Sequence, residues 1–524
     1  MTVPFRDSTG RLDRGTCIKA ANMAILFALA IFFLAMPPVL LLRDLSDASL
    51  RRPEGLPRVA WRMHRALAPR YERWALARVA SGRAAHLALH DVPSTEWPMF
   101  GSVFFLAATE SLQDEWDRAD YERRGPAPRA YARGAIDASV ALLLDPVHHT
   151  WVQTHWGTNY LHRENVFFRS MLIQGLTSRE RLLRDGRHVS LLWSLVNDLA
   201  DDLDRSPHGL LNDYPGECYP IDVFAAVASI RDADSVLGTD HTAFAERARR
   251  AFTGRQSDKR GLVPYLADPA TGIPLDTSRG IGNSYVLIYA PALYPDLAQE
   301  WYDRYVRDFW QNRWLASGFR EYPRDMPHKD WLNDPDSGPV IAGFSPSGNA
   351  YGVAAARVNG RFDHAWTLSA QVLTASWPLP GECRLGARLL SNAFHAPYLG
   401  EANLLFLLTR RPAAGVPIRT GGGIAGIVAV GFVFFIGGFA LVMAAIRSNW
   451  RAWRRTRAHV RLPIERVQTV VWILLVVGGL SAWVAGSGLY GVLLLLIGQF
   501  LPRVRRCTGI RPADTPQRIE RTRE

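Results

Sequence analysis

Cysteine is scarce in this 524-residue chain, limited to Cys17, Cys218, Cys383 and Cys507. None stands in a CxxC or Cys/His spacing, so the zinc-site patterns are absent and no metal is expected. Cys17 and Cys507 flank apolar runs. Cys218 and Cys383 lie in the central region, where a disulfide is permitted outside the cytoplasm, but sequence leaves open whether they meet. A phosphate loop, a G-x-S-x-G elbow, an HExxH pair and βαβ alternation are also missing, and no cofactor is implied. The net charge of +12 raises the question of nucleic acid. Its distribution argues against that partner: much of the excess lies beside hydrophobic spans, with no helix-turn-helix, zinc-finger or RNA-binding signature.

What is present begins with long hydrophobic runs. Ala20 to Leu42 holds no charge. At about 1.5 Å per residue it spans a hydrocarbon layer of about 30 Å. A signal peptide is the competing reading, but its apolar core is about 7–15 residues, so a retained anchor is preferred. A second span is expected over 421–446, where Gly422 and Gly426 form a GxxxG. The stretch 467–502 is too long for one crossing, and Ala485-Gly486-Ser487-Gly488 interrupts it. A tight hairpin of two short helices fits best, with a single long tilted helix as the alternative. The chain therefore carries one N-terminal and two to three C-terminal transmembrane helices.

Arginine sets the orientation. Arg447 to Arg466 holds seven Arg against one Glu, the segment 1–19 carries Arg6, Arg11, Arg14 and Lys19, and the tail 503–524 is Arg-rich. With four spans these basic segments share the cytoplasmic side under the positive-inside rule, and the region 44–418 falls on the other. In a bacterium the membrane is the inner, cytoplasmic one and that side is the periplasm or cell exterior.

Helical periodicity dominates 44–418. Val189–Leu203, Asp222–Ile230 and Ala290–Phe309 read as amphipathic or buried helices. Long Gly-, Pro- and Asp-rich connections separate them, as ligand-binding loops often do. Three loop-to-helix junctions concentrate polar residues: Trp156–Asn165, Asn212–Asp222 and Trp331–Pro339.

These junctions carry a resemblance. Gly157-Thr158 followed by Glu164-Asn165, Arg260-Gly261 with Tyr265 and Asp268–Gly272, the Asp-rich Asn333–Gly338 and the Glu401–Leu408 helix stand in order and spacing. Together they are similar to the linalool dehydratase/isomerase family, over roughly Trp97 to Arg410. The resemblance implies an all-α fold, an (α/α)6 barrel, and dehydration or isomerisation of a hydroxylated isoprenoid or lipid-like substrate. The family's catalytic pattern is incompletely kept. Its His position falls near Ser170-Met171, its first Cys near Asn212, and its second either on Cys218 or near Ile221-Asp222.

The candidate catalytic residues are therefore Asp222, Cys218, Asp334, Asp336 and Asp213, with Glu164, Asn165, Asn212, Tyr214, Tyr219, Tyr265 and Trp331 as substrate-binding candidates. Each has a plainer alternative. Asp222 fits an N-cap or first-turn carboxylate as well as an acid/base group. Cys218 fits a buried or bridged thiol as well as half of an acid/base pair. Asp334 and Asp336 fit an Asp-stabilised turn, a partial Ca²⁺ loop, or a carboxylate opposite Asp222. Two further functions stay open: a carbohydrate-active enzyme with paired carboxylates, and a non-catalytic tethered binding protein.

Overall fold

The computed structural model describes residues 14–88, 91–118, 125–334, 336–455, 463–484 and 488–500. The basic residues Arg6 and Arg11, the loop 456–462, the interruption at 485–487, the tail with Cys507, and Pro335 lie outside the described residues. The chain divides into two compact units, residues 32–436 and residues 1–31 with 437–524.

The protein is mostly helical. Its N-terminal part contains α1 (Arg14–Ala30), a π-turn (Ile31–Ala35), α2 (Met36–Leu45), α3 (Arg58–Ala80), α4 (Val92–Arg118), α5 (Pro128–Tyr131), α6 (Arg133–Leu143) and α7 (Thr150–Trp156). Next come α8 (Val166–Leu183), α9 (Val189–Arg205), α10 (Pro220–Leu237), α11 (Thr242–Ala248), α12 (Gly280–Leu293) and α13 (Pro295–Phe309). The C-terminal part has α14 (Pro346–Val358), α15 (Phe362–Ala375), α16 (Leu385–Leu389), α17 (Leu399–Leu408), α18 (Gly426–Arg455), α19 (Pro463–Val484) and α20 (Gly488–Phe500). Three short antiparallel hairpins interrupt the helices: β1–β2 (Trp310–Asn312, Ser317–Phe319), β3–β4 (Trp331–Asp334, Gly338–Ile341) and β5–β6 (Pro378–Leu379, Cys383–Arg384).

Residue pattern decides which helices lie inside. On α9 the buried positions Leu192, Leu195, Val196, Leu199 and Leu203 follow a 3–4 spacing, and Asp201 stays exposed. On α13 Ala298, Trp301, Tyr302, Tyr305 and Phe309 do the same. A single apolar stripe suits a helix with one face to water. By contrast α8, α10 and α12 bury residues around most of their circumference, as fully packed helices must. Alternate helices pair accordingly. α4 packs on α8, α8 on α10, α10 on α12, α12 on α14, α14 on α17, and α17 on α4. Helices α3, α6, α9, α13 and α15 pack on these from outside.

Two expected features differ. The stretch 290–309 is not one helix, because Pro295 lacks an N–H to continue α12, so Tyr294 ends that helix and α13 starts at the proline. The junction 331–339 is a hairpin rather than the lead-in to a helix, with Trp331 paired to Ile341 across it.

Among the described residues two helices, Ala20–Leu45 and Gly426–Arg451, are long and apolar enough to cross a membrane. Gly422 of the GxxxG precedes α18 with φ +83°, so it shares no helix face with Gly426. α19 and α20 pack on each other, and the apolar stretch of α19 is the short Val470–Gly479. Within the larger unit, Pro37 cannot donate to the Phe33 carbonyl four residues back, and the helix widens there into the π-turn. Trp377 takes over, its Nε1–H donating to that carbonyl at 3.1 Å.

The end of α2 is tied down by charge. Asp44 is buried and pairs with Arg384 at 2.8 Å, Arg62 at 2.5 Å and Arg43 at 3.0 Å. The Asp44 and Arg384 side chains are both fully buried. Removing one partner of such a pair strands a charge. Asp44→Ala is expected to destabilise the protein by about 3–5 kcal/mol, whereas Arg43→Ala, whose side chain is more than one-third exposed, is expected to cost less than about 1 kcal/mol. Chemical denaturation of the detergent-solubilised protein, followed by circular dichroism, checks the difference.

Candidate active site

Pro220 opens α10. Its missing N–H is harmless in a first turn, and it places Asp222 on the third helical residue. No side chain caps this helix, so Asp222 is not an N-cap. Among the described residues no hydrogen bond reaches its carboxylate. The group keeps partial exposure although it projects from a helix packed between α8 and α12. Burial first, then the charge of Asp336, pushes its pKa up to about 7.

A second raised carboxyl comes from α4, within electrostatic reach of Asp222. Glu96 is half-buried, and burial followed by the charges of Asp222 and Asp336 pushes it up to about 8. Tyr214 O–H donates to it. The third, Asp336, sits exposed in the β3–β4 turn and accepts from Tyr265 O–H. Three acids from three segments thus lie within electrostatic reach of one another, and none of them forms a salt bridge among the described residues.

The nearest cation is held apart. Arg279 pairs with Glu321 at 3.0 Å and Asp334 at 2.7 Å, and its guanidinium lies 4.0 Å over the Tyr265 ring. Glu321 is fixed by Ser345 Oγ–H at 2.8 Å and the Ile281 N–H at 3.2 Å. Tyr265 therefore stands between Arg279 and Asp336, and its ring also meets Tyr219 at 5.4 Å.

Beneath the carboxyls the surroundings are aromatic. Tyr285 and Tyr351 meet at 5.4 Å, and Tyr289 O–H donates to Tyr285 Oη at 3.3 Å. Burial raises the pKa of all three phenols, and Asp222 adds to the rise. Phe104 packs on Tyr351 at 6.2 Å, and Phe100 on Phe167 at 5.0 Å. Such a setting binds apolar or amphipathic ligands and keeps carboxyls protonated.

The remaining candidates have structural employment. Asp213 accepts from the N–H of Phe167 at 2.8 Å and of Tyr219 at 2.9 Å, tying the loop to α8 and α10. Burial and the Asp222 charge push it up against those two donors. Asp334 caps its turn through the N–H groups of Asp336 and Ser337. Burial opposes its charge, but Ser337 N–H and Arg279 hold its pKa below the usual value. Glu164 accepts from Asn212 N–H at 3.0 Å. Asn165 takes a left-handed φ of +48° at the start of α8 and donates to the Tyr160 carbonyl. Asn212 accepts from Val166 N–H through its carbonyl, and its Oδ1 is buried without a partner. Tyr219 O–H donates to Glu217. Trp331 is 71% exposed on the outside of its hairpin. Cys218 and Cys383 are both free thiols, and burial first, then the charges of Asp213 and Asp222, raises the Cys218 pKa. Among the described residues no cluster of His, Cys, Asp and Glu is arranged to hold a metal ion.

Glu96, Arg279 and the three tyrosines were not singled out from sequence. Glu96 had a signal: it is the one charge between Val92 and Thr109. A depression of about 620 Å³ along Asp296, Glu300 and Arg304 on α13 holds no comparable chemistry, because its charged groups pair among themselves and with neighbours at the surface. Comparison with protein-family models and with curated proteins finds no match to this chain.

Because Asp222 and Glu96 ordinarily titrate near 3.8 and 4.5, the native state holds protons that the unfolded chain has released between about pH 4 and pH 8. Native binding of extra protons makes stability fall as pH rises through that window. The melting temperature is expected to decline from pH 5 to pH 8. The Asp222→Asn/Glu96→Gln double variant is expected to flatten that decline, measured by scanning calorimetry.

Proposed function

We propose that this chain is a membrane-anchored enzyme with an (α/α)6-barrel domain held outside the cytoplasm, which dehydrates or isomerises a hydroxylated isoprenoid or lipid-like substrate by acid/base chemistry. The barrel reading is supported by the succession of six inner helices, with α17 returning to α4 and an outer helix on nearly every one. The observation that carries the chemistry is the Asp222 carboxyl, raised to about 7 and bare of hydrogen bonds among the described residues, with Glu96 at about 8 within electrostatic reach.

Dehydration needs a proton for the departing hydroxyl and a base for the adjacent C–H. Glu96, protonated at neutral pH, is the donor: its proton goes to the hydroxyl oxygen, the C–O bond breaks and water leaves. Asp222, poised near neutrality, accepts the proton from the neighbouring carbon as the C=C bond forms. Proton return from Asp222 to Glu96 through the solvent restores the starting state. Isomerisation uses the same pair, with water re-adding at the other end of the alkene. Tyr285, Tyr289 and Tyr351 supply the aromatic surface, and Tyr265 keeps Asp336 apart from Arg279.

A second reading is a glycosidase-like enzyme. Three converging carboxyls with aromatic rings favour it, since such enzymes pair two acids across the sugar. Cys218 is buried with a raised pKa, so its thiol stays protonated at neutral pH, and neither reading gives it a proton-transfer role.

Asp222→Asn is expected to lower turnover by about 10²–10⁴-fold, the usual worth of an acid/base group, with the melting curve retained. Cys218→Ser is expected to leave turnover unchanged. Gas chromatography of products from a panel of tertiary and allylic isoprenoid alcohols, run beside reducing-sugar release from oligosaccharides, separates the two readings. Product from sugars alone would replace the first by the second.

A further inference from the structure

The larger unit shows which of its ends bears the site. Asp222 lies in the first turn of α10, and Glu96 in the N-terminal part of α4. Arg279 and Glu321 meet at the start of α12, and Ser345 caps α14 beside them. The N-terminal ends of the inner helices, with the loops before them, therefore form the site end.

The two apolar helices adjoin that same end. α15 returns antiparallel to α14, and its last turns meet the β1–β2 hairpin, where Gln371 bonds Ser317. Leu315 of that hairpin accepts from Ile427 N–H in the first turn of α18, at 2.6 Å. Gly431 then passes Thr374 so closely that a Cβ would collide. Trp377, just beyond α15, touches Phe434 and Phe435 of α18 and bonds the Phe33 carbonyl of the other apolar helix. The parts of both helices within the larger unit thus run beside the C-terminal end of α15, which is the site end.

Exposed apolar side chains are concentrated there. Trp314 on the β1–β2 turn is 84% exposed and Trp331 on the β3–β4 hairpin 71%. Leu275 precedes Arg279, and Leu389, Leu390 and Phe394 precede α17, all more than half exposed. Among the described residues of 46–425, Trp193 and Ile418 are exposed large hydrophobics away from this end, and Ile424 lies between, on the stretch that runs along α15. A soluble surface seldom gathers so many, and Trp beside a membrane helix is the usual occupant of the headgroup zone.

We propose that the rim of the site end is a lipid-facing surface, resting on the bilayer in which the two apolar helices are anchored, so that the substrate reaches Asp222 and Glu96 from the membrane. This inference rests on the anchored reading above and narrows its substrate class to molecules that partition into lipid. The apolar rim is thereby covered by lipid, while the carboxyls behind it remain within reach of a hydroxyl at headgroup depth.

Spin labelling of the full-length protein in nanodiscs of phosphatidylcholine and phosphatidylglycerol tests it. Labels are placed by Phe394→Cys, Leu275→Cys and Trp193→Cys in a Cys17→Ser, Cys383→Ser, Cys507→Ser background; Leu390→Cys replaces Phe394→Cys should that variant not fold. The ratio of oxygen to nickel-chelate accessibility is expected to be at least threefold higher at 394 and 275 than at 193. Water-like ratios at all three positions, in protein that co-floats with vesicles, would overturn the lipid-facing rim and leave the anchor intact. Protection of 394 and 275 that persists in detergent together with a dimer mass would also overturn it, because a second copy then covers the rim. Failure to co-float would remove the anchored reading, and the proposal with it.

Discussion

Carboxyl groups enclosed by protein must be neutralised, paired or protonated, and this constraint organises the domain. Most of its enclosed acids are paired. Asp44 has Arg384, Glu180 has Arg179, Glu401 has Arg388, and Glu321 and Asp334 share Arg279. Asp213 has two backbone N–H donors instead. Glu96 and Asp222 have neither, and the protein meets the cost by raising their pKa values, so that Glu96 is mostly protonated and Asp222 about half protonated at neutral pH. Arg279 would abolish that state if it were released. Two carboxylates and the face of Tyr265 hold it where it is.

The scaffold serves this arrangement through its helix starts. An inner helix buried around its circumference has few places for polar groups except its ends, and the loops before α8, α10, α12 and α14 carry the polar residues. The positive ends of α4 and α10 lie nearest the carboxyls and favour their charged forms modestly, which opposes the effect of burial. The balance leaves Asp222 near neutrality, where one group can both give and take a proton. The first apolar helix joins the same domain by two polar devices, the Asp44 cluster and the Trp377 bond to Phe33. Each satisfies a group that the adjacent sequence leaves unpaired.

Much of the helix content was legible from residue spacing. Val189–Leu203 carries its apolar stripe openly, and the structure places α9 over Val189–Arg205. The Tyr-Pro-x-Asp run announced a helix start with an acid in its first turn, and Asp222 is there. Tyr265 and Asp336 were candidates for separate reasons and turned out to bond each other. Other residues were right in type but different in employment. Asp213 and Asp334 read as catalytic candidates and Glu164 as a substrate-binding one, and all three bind backbone N–H groups within hydrogen-bond reach. Trp331 reads as a pocket wall and lies outside because the alternation of its hairpin turns it away.

The chain alone determined the apolar segments, the helical character of the region between them and the acidic helix starts. Those properties depend on neighbours three or four residues apart, or on a run of one character, and such order is written along the chain. Only the tertiary structure decided that Glu96 comes within electrostatic reach of Asp222, since 126 residues separate them and nothing local to either requires it. It also decided which acids receive a cation and which do not. The pKa of a carboxyl follows from the dielectric and charge around it in space, and that surrounding is assembled from segments whose meeting no spacing rule records.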